Sequence, residues 1–283
     1  MQKDYISRFT IKGTSIRGNI IQLDESIKKL NNNLKPVSQY EKPFFELLTV
    51  CPMLAATMKF EGALILQIQG KKNLKLMIAE SDHKFNIRGT LKTKDSNTDE
   101  DFEKSISDAI FALTVIQKKQ KAPYQGIISI TSNEIPLIVE HYLSQSMQTK
   151  SKIYICKTSA GYHGILFQDM PEYHVNEKQK SEMVWDIIHK FSNENFSGNF
   201  YEALKELLPD EEIEIYEKHP INFNCSCSDE KIRKTISLIN KEEIYKSLKN
   251  EQLEMVCEYC QKKYQIKKTE IDFIFAENNQ PLN

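Results

Sequence analysis

Asn-Cys-Ser-Cys-Ser over residues 224–228 and Val-Cys-Glu-Tyr-Cys over residues 256–260 place four cysteines in the C-terminal part of the chain. The first pair is spaced Cys-x-Cys and the second Cys-x-x-Cys, so the sulfurs of each pair can converge on one metal ion. Four thiolates form a closed tetrahedral zinc site, with Zn–S distances of about 2.3 Å and no open position for a catalytic water. We therefore expect one Zn²⁺ per chain, bound by Cys225, Cys227, Cys257 and Cys260.

The two-plus-two pattern favours zinc over an iron–sulfur cluster because no third spaced cysteine motif is present, although the sequence does not exclude iron. A C-terminal region of this size is near the lower limit for a self-supporting domain. Structural zinc contributes roughly 10–16 kcal/mol in finger peptides, which matches the roughly 5–15 kcal/mol stability of a whole domain. Loss of the metal is therefore expected to unfold the region.

The four-cysteine site has two interpretations, an inert support for a small module or a redox switch. Zinc-bound sulfurs are thiolates, which is the form that oxidants attack. Each pair is also close enough in sequence to close a local disulfide, Cys225 with Cys227 and Cys257 with Cys260, at a small loop-closure cost. The residues alone leave both interpretations open.

Composition limits the partners and the compartment of the chain. The protein has 283 residues, 40% hydrophobic residues and a net charge of −1, so no overall positive field attracts nucleic acid or an anionic membrane. The N-terminus is charged where a signal peptide is apolar, and Glu46 and Pro52 interrupt the most apolar stretch, residues 44–57. We expect a cytoplasmic protein with no membrane span, in which Cys51 and Cys156 are buried, inert thiols.

Residues 1–173 have the pattern of a mixed α/β core. Alternating apolar residues predict a β-hairpin from strands over 63–69 and 74–80. Apolar residues at helical spacing over 44–55 predict an amphipathic helix with a kink or an end near Pro52. Further strands are expected from about Ile110 and over 124–131, 152–158 and 164–168, and further helices near 102 and over 134–144.

Residues 174–218 are acidic, with 11 acidic and 5 basic residues, and contain two short amphipathic helix patterns separated by residues 192–199. Isolated helices of this length are marginal in water, so they must dock on a neighbouring domain, either permanently or as a metastable linker. Their expected apolar stripes are Val184, Ile187, Ile188 and Phe191, then Tyr201, Leu204, Leu207 and Leu208. The predicted class is α+β, with a core over 1–173, a helical linker over 174–218 and a small four-cysteine zinc domain over 219–283.

The whole pattern resembles the bacterial 33 kDa chaperonin family, the redox-regulated heat shock holdases. The cysteine arrangement resembles the zinc-binding tail of that family. Motifs similar to those of its N-terminal core occur in the same order, at residues 15–18, 54–62, 67–70, 87–89 and 124–126. The resemblance covers nearly the whole chain.

The resemblance implies a non-enzymatic chaperone that is inactive when reduced and zinc-bound. In such a protein, oxidation forms disulfides, releases zinc and unfolds the zinc domain and the linker. The surface exposed in this way binds unfolding client proteins without ATP and prevents their aggregation. The family also implies a homodimer as the oxidised, active form.

Two other functions remain open at the sequence level. A zinc-ribbon nucleic-acid binder would use the basic cluster of Lys262, Lys263, Lys267 and Lys268, but the balanced charge of residues 219–283 argues against it. A thiol–disulfide oxidoreductase would use Cys257 and Cys260, but that motif normally opens a helix, whereas residues 262–266 have the pattern of a strand.

Overall fold

The computed structural model describes residues 4–36, 38–95, 100–170, 175–191 and 199–278. The chain divides into two compact units, Met1–Asn224 and Cys225–Asn283. The strands of the first unit are β1 (Tyr5–Ile11), β2 (Ile16–Leu23), β3 (Gly62–Gln69), β4 (Leu74–Asp82), β5 (Asn86–Thr93), β6 (Ile110–Gln117), β7 (Tyr124–Ser129), β8 (Ser151–Lys157), β9 (Tyr162–Asp169), β10 (Ile213–Pro220) and β11 (Asn222–Phe223). Its helices are α1 (Glu25–Leu34), α2 (Ser38–Thr57), α3 (Phe102–Ile106), α4 (Ile135–Met147), α5 (Val175–Lys190) and α6 (Phe200–Leu207).

Two sheets make up the framework of this unit. Sheet 1 has the antiparallel order β10-β1-β2-β9-β8, and sheet 2 has the order β11-β5-β4-β3-β6-β7, in which only β11 runs parallel to its neighbour. The expected hairpin is β3–β4, in which Ile68 pairs with Met77. The predicted α+β class is confirmed.

Helix α2 lies in the core and contacts strands of both sheets. Its residues from Pro43 to Ala56 are all buried. Other elements cover the helix on every side, so it needs no polar stripe. The expected end of the helix near Pro52 is wrong, since the helix continues through both Pro43 and Pro52 to Thr57, and the alternative of a kink there stays a prediction. Burial of the flanking side chains compensates for the backbone hydrogen bond that each proline removes.

Helices α5 and α6 cover the face of sheet 1 that points away from α2. Their buried side chains form one apolar cluster with β1, β2, β8 and β9, which we call the linker cluster. It consists of Phe9, Ile11, Ile16, Ile20, Tyr154, Ile165, Phe167, Val184, Trp185, Ile188, Phe200, Leu204 and Leu208.

The buried stripes of α5 and α6 differ from the predicted ones. Ile187 is 40% exposed and Tyr201 is 39% exposed, whereas Trp185 and Phe200 are buried. Val184, Ile188, Leu204 and Leu208 are buried as predicted, so each stripe is displaced only in part, because the sheet surface rather than the helix alone selects the side that docks. Of the predicted separation over 192–199, only Asn199 is among the described residues, and the predicted boundary at Tyr173 lies outside them.

Residues 213–218 differ from the expected helical linker, since they belong to strand β10. This strand pairs with β1, with Ile215 opposite Phe9, and so completes an edge of sheet 1. Ile221, which follows it, is buried in the main core at 3% exposure. The compact unit therefore extends to Asn224 rather than ending before residue 219.

The second unit has a small core of its own. Its elements are α7 (Asp229–Leu238), α8 (Lys241–Lys246), β12 (Gln252–Val256), β13 (Lys263–Lys267) and α9 (Lys268–Asn278). Strands β12 and β13 form an antiparallel hairpin. The buried apolar side chains are Ile236, Ile244, Leu253, Tyr264, Ile266, Ile271, Ile274 and Phe275.

Candidate metal centre

The β12–β13 hairpin positions the second cysteine pair. Its last ladder pair joins Val256 to Lys263, and the Cys257 N–H then donates to the Lys262 carbonyl at 2.9 Å. The Gln261 N–H donates back to the Cys257 carbonyl at 2.8 Å, with Gln261 in the left-handed region at φ 59°. This tight turn directs two sulfurs to the same end of the hairpin, as a metal knuckle requires.

The first pair lies between β11 and helix α7. Ser228 is the N-cap of α7, and its side chain accepts a hydrogen bond from the Lys231 N–H at 3.2 Å. Cys227 therefore directly precedes the N-cap of a helix. The positive end of the helix dipole favours a thiolate at this position.

The structure brings all four cysteine sulfurs together. The Cys225 and Cys257 sulfurs are 3.6 Å apart, the Cys227 and Cys260 sulfurs are 3.5 Å apart, and all four lie within 4.8 Å of one another. Sulfurs at about 2.3 Å from a tetrahedral zinc ion are about 3.8 Å apart, so the spacing fits a closed four-sulfur site. The cluster is able to bind a metal.

Each of the two short sulfur–sulfur distances joins a cysteine of the first pair to one of the second. The predicted disulfides instead join Cys225 to Cys227 and Cys257 to Cys260. All four are free thiols in the structure. Proximity around one metal position therefore does not select a disulfide pairing, and the predicted connectivity stays a prediction.

The metal-free thiols differ in how readily they ionise. Burial raises the pKa of Cys225, and it raises the pKa of Cys260 to about 12. For Cys227, burial acts in the same direction, but interactions with the nearby Tyr264 hydroxyl and the other three thiols outweigh it and lower the pKa to about 7. One thiolate near neutral pH provides a starting point for metal binding or oxidation.

The two remaining cysteines lie outside the cluster. Cys51 is fully buried in α2, and burial raises the pKa of its thiol, so it is inert as expected. The expectation that Cys156 is buried is wrong, since this residue on β8 is partly exposed at the border of the linker cluster. Apolar neighbours in the sequence do not bury a residue on an edge strand.

A buried pair of polar residues was missed by sequence analysis. The His163 Nε2 atom lies 2.9 Å from an Asp24 carboxylate oxygen, and both side chains are largely buried. The residues are far apart in the sequence, so no spacing rule could detect them. Among the described residues, only the four clustered cysteines form a group that could hold a metal ion.

The comparisons with known proteins agree with this arrangement. A sequence profile of the family described as Hsp33 protein matches residues 4–267. The chain belongs to the Hsp33 family. A 33 kDa chaperonin from Methylobacillus flagellatus is 26% identical to it over 280 residues, 96% of this chain and 94% of that protein. A 33 kDa chaperonin from Vibrio vulnificus is 26% identical over 286 residues, 98% of this chain and 97% of that protein.

The fold is also that of a solved Hsp33 structure. The crystal structure of the 33 kDa chaperonin (heat shock protein 33 homolog) from Thermotoga maritima superposes with a TM-score of 0.77 at 18% sequence identity. The match covers 97% of this chain and 98% of that chain. This likeness agrees with the predicted α+β class, in which a mixed α/β core is followed by a C-terminal four-cysteine unit.

Membership of the Hsp33 family establishes the class of protein to which the chain belongs by function. Hsp33 proteins are redox-regulated holdase chaperones and not enzymes, and their partners are client proteins. A four-cysteine cluster is present in the chain. No helix in the described ranges is long and apolar enough to cross a membrane.

Proposed function

We propose that the reduced protein binds one Zn²⁺ at Cys225, Cys227, Cys257 and Cys260, and that oxidation of this site activates a cytoplasmic, ATP-independent holdase. The observation that supports the proposal is the convergence of four sulfurs within 4.8 Å in a unit with a small apolar core. Zinc has the ligand preference and the tetrahedral geometry that fit four thiolates.

Oxidation of each cysteine pair is a two-electron step. Two thiolates form one disulfide and transfer two electrons to an oxidant such as hydrogen peroxide, which takes up two protons and leaves as two molecules of water. We assign the disulfides to Cys225–Cys227 and Cys257–Cys260, because pairs that are close in sequence have the smallest loop-closure cost once the metal has left. Disulfide sulfurs are no longer thiolate ligands, so the zinc ion is released.

Zinc release is expected to unfold residues 225–283. Among the described residues of this unit, eight apolar side chains are buried, and structural zinc contributes roughly 10–16 kcal/mol, as much as the whole stability of a typical domain. Cys225 is covalently next to Asn224, whose N–H donates to the Ile87 carbonyl at 3.1 Å. Unfolding of the second unit would therefore act directly on the adjoining segment of the chain, which includes β11 and pairs with the core.

The linker helices are the next elements to be released. Helix α6 has eight residues and is too short to be stable in water without docking, and α5, with sixteen residues and no alanine, is only just above the length at which isolated helices are marginal. Their release would expose the linker cluster, including Phe9 and Phe167 on sheet 1. A contiguous apolar surface of this kind binds unfolding proteins. We further propose that the oxidised, client-binding form is a homodimer.

The proposal is tested by following zinc content, free thiols and aggregation suppression together during peroxide treatment. The reduced protein should contain one zinc per chain, and suppression of client aggregation should rise as zinc and four thiols are lost. The variant Cys257→Ser with Cys260→Ser should lose zinc, whereas the matched variant Cys156→Ser, outside the cluster, should retain it. Zinc retained without Cys257 and Cys260, or equal activity of the reduced and oxidised protein, contradicts the proposal.

Peptide mapping of the oxidised protein tests the disulfide assignment separately. We expect Cys225–Cys227 and Cys257–Cys260, with Cys51 and Cys156 still reduced. A predominant cross-pair, such as Cys225 with Cys257, would show that oxidation occurs before the cluster opens.

A further inference from the structure

The chain has only four arginines, and two of them are paired with carboxylates. A terminal nitrogen of Arg88 lies 2.8 and 2.7 Å from the two carboxylate oxygens of Glu80, and Arg233 also forms an ion pair. Within the ranges that the structure describes, Arg8 and Arg17 have only uncharged hydrogen-bond acceptors. The planar guanidinium fork is suited to oxyanions, so two arginines without a carboxylate identify a candidate anion site.

Arg8 and Arg17 meet at the carboxyl end of α2. They lie on the paired strands β1 and β2 and face the same side of sheet 1, because Thr10 pairs with Arg17 and Arg8 is two residues away. The Arg8 Nε–H donates to the Ala56 carbonyl at 2.8 Å, and an Arg17 Nη–H donates to the Thr57 carbonyl at 3.3 Å. These carbonyls belong to successive residues, so the two positive groups lie side by side at the end of the helix.

The helix end compensates only part of this positive charge. The carboxyl end of a helix is equivalent to about half of one negative charge, whereas each guanidinium group carries a full positive charge. Burial lowers the pKa of Arg17, and the charge of Arg8 lowers it further, with no carboxylate acting in the opposite direction. The Arg17 Nε atom is also buried without a hydrogen-bond partner. A bound anion would therefore stabilise the charged form of Arg17.

Three terminal nitrogens of the two arginines are available to such an anion. Among the described residues, neither terminal nitrogen of Arg8 has a hydrogen-bond partner, and this side chain is exposed. One terminal nitrogen of Arg17 is hydrogen-bonded and lies 3.5 Å from the Gln168 side-chain oxygen, whereas the other is neither hydrogen-bonded nor buried. The Nε hydrogen bond of Arg8 and the Phe85 ring, 6.0 Å from its guanidinium carbon, hold that group in place. The donors are thus positioned before an anion binds.

We propose that Arg8 and Arg17 form a binding site for a doubly charged oxyanion of the phosphate type. Its oxygens accept hydrogen bonds from both terminal nitrogens of Arg8 and from the available terminal nitrogen of Arg17. Two negative charges match the two guanidinium groups, and a tetrahedral arrangement of oxygens suits donors that approach from two side chains. A carboxylate has one charge and two oxygens, so it satisfies only one of the two groups.

The proposed anion site belongs to the first unit and goes beyond the proposed function, since no cysteine and no residue of α5 or α6 contributes to it. It joins two of the motifs found in the sequence, residues 15–18 and 54–62, which contain Arg17 and the end of α2. An anion that binds only the folded state stabilises that state by mass action. The free energy of unfolding of the first unit should therefore rise with phosphate concentration.

Nuclear magnetic resonance of the reduced full-length protein tests the site directly. Four arginines give four guanidinium carbon signals, which are followed while inorganic phosphate is added at pH 8 and constant ionic strength. The signals of Arg8 and Arg17 should shift with one common dissociation constant, whereas those of Arg88 and Arg233 should stay unchanged. Acetate is the comparison ligand and should bind roughly tenfold more weakly or less, because it cannot bridge both guanidinium groups.

Two charge-removing variants separate a specific site from a general effect of charge. Arg8→Gln should raise the phosphate dissociation constant roughly tenfold or more, because it removes charge-assisted hydrogen bonds from an exposed side chain. The matched variant Arg233→Gln removes the same charge from the second unit and should bind phosphate like the unmodified chain. Arg17→Lys keeps the charge but not the fork, so it should also bind more weakly. Circular dichroism establishes that each variant is folded.

Unchanged arginine signals on addition of phosphate would overturn the proposal and leave both residues as caps of the α2 carbonyls. Equal phosphate affinity of Arg8→Gln and Arg233→Gln would also overturn it, since binding would then follow net charge alone. Acetate binding as tight as phosphate binding would make this a carboxylate site instead. These results are independent of the proposed function, which is decided by zinc release and aggregation suppression.

Discussion

Weakening the docking of α6 should partly activate the reduced protein. Leu204 is 1% exposed and lies in the linker cluster. Replacing a buried leucine by alanine costs roughly 2–5 kcal/mol, and α6 has only a few such anchors. At about 3 kcal/mol, the equilibrium between docked and released helix shifts roughly 100-fold toward release. Reduced, zinc-bound Leu204→Ala should therefore bind clients to an extent that the unmodified reduced protein does not.

The protein contains a built-in reporter for this release. Trp185 is the only tryptophan of the chain, and its ring is buried with the Lys150 ammonium 4.6 Å from its centroid and His189 stacked against it. Release of α5 with α6 exposes this ring to water, so the emission of Leu204→Ala should shift to longer wavelength before any oxidant is added.

The assay compares tryptophan emission with suppression of client aggregation under reducing conditions. Glu202→Ala, an exposed position of the same helix, is the matched control and should change neither measurement. If the emission of reduced Leu204→Ala shows a released linker while client aggregation proceeds unhindered, then the linker cluster is not the client-binding surface and the reasoning is refuted.

Burial raises the pKa of the Glu46 carboxyl group to about 7. The folded state therefore binds this proton more tightly than the unfolded state does. The free energy of unfolding should fall by about 3 kcal/mol as the pH rises from about 4.5 to about 7. Glu46→Gln should remove that loss in urea unfolding curves at pH 5 and pH 8, and an unchanged pH dependence would assign it to other groups. Cys156 should react with iodoacetamide in the native reduced protein, whereas Cys51 should react only on global unfolding; equal rates would contradict their different burial. Gly18→Ala should destabilise the first unit by at least about 2 kcal/mol in urea unfolding, because a Cβ atom at this position would lie 2.1 Å from the Leu166 carbonyl oxygen. An unchanged free energy of unfolding would mean that β2 and β9 can move apart to make room for it.

Local patterns in the sequence were sufficient to predict the elements that depend mainly on contacts between residues close in sequence. The hairpin β3–β4 follows from a period of two between turn residues, and the mixed α+β class follows from the alternation of such segments with helical ones. The convergence of Cys225, Cys227, Cys257 and Cys260 was also predictable, because each pair is close in sequence and one metal imposes a single geometry on all four. Resemblance of several motifs in order identified the family.

Features that depend on contacts between distant residues appeared only in the tertiary structure. The choice of Trp185 over Ile187 as a buried residue depends on the surface of sheet 1, which is built from five strands that are distant in the sequence. Strand β10 forms because β1 offers an open edge, and the His163–Asp24 pair exists because the start of β9 lies beside the end of β2. Helix periodicity and strand alternation report the face of a single element, but the partner that buries the face is set by packing between elements, which no local pattern encodes.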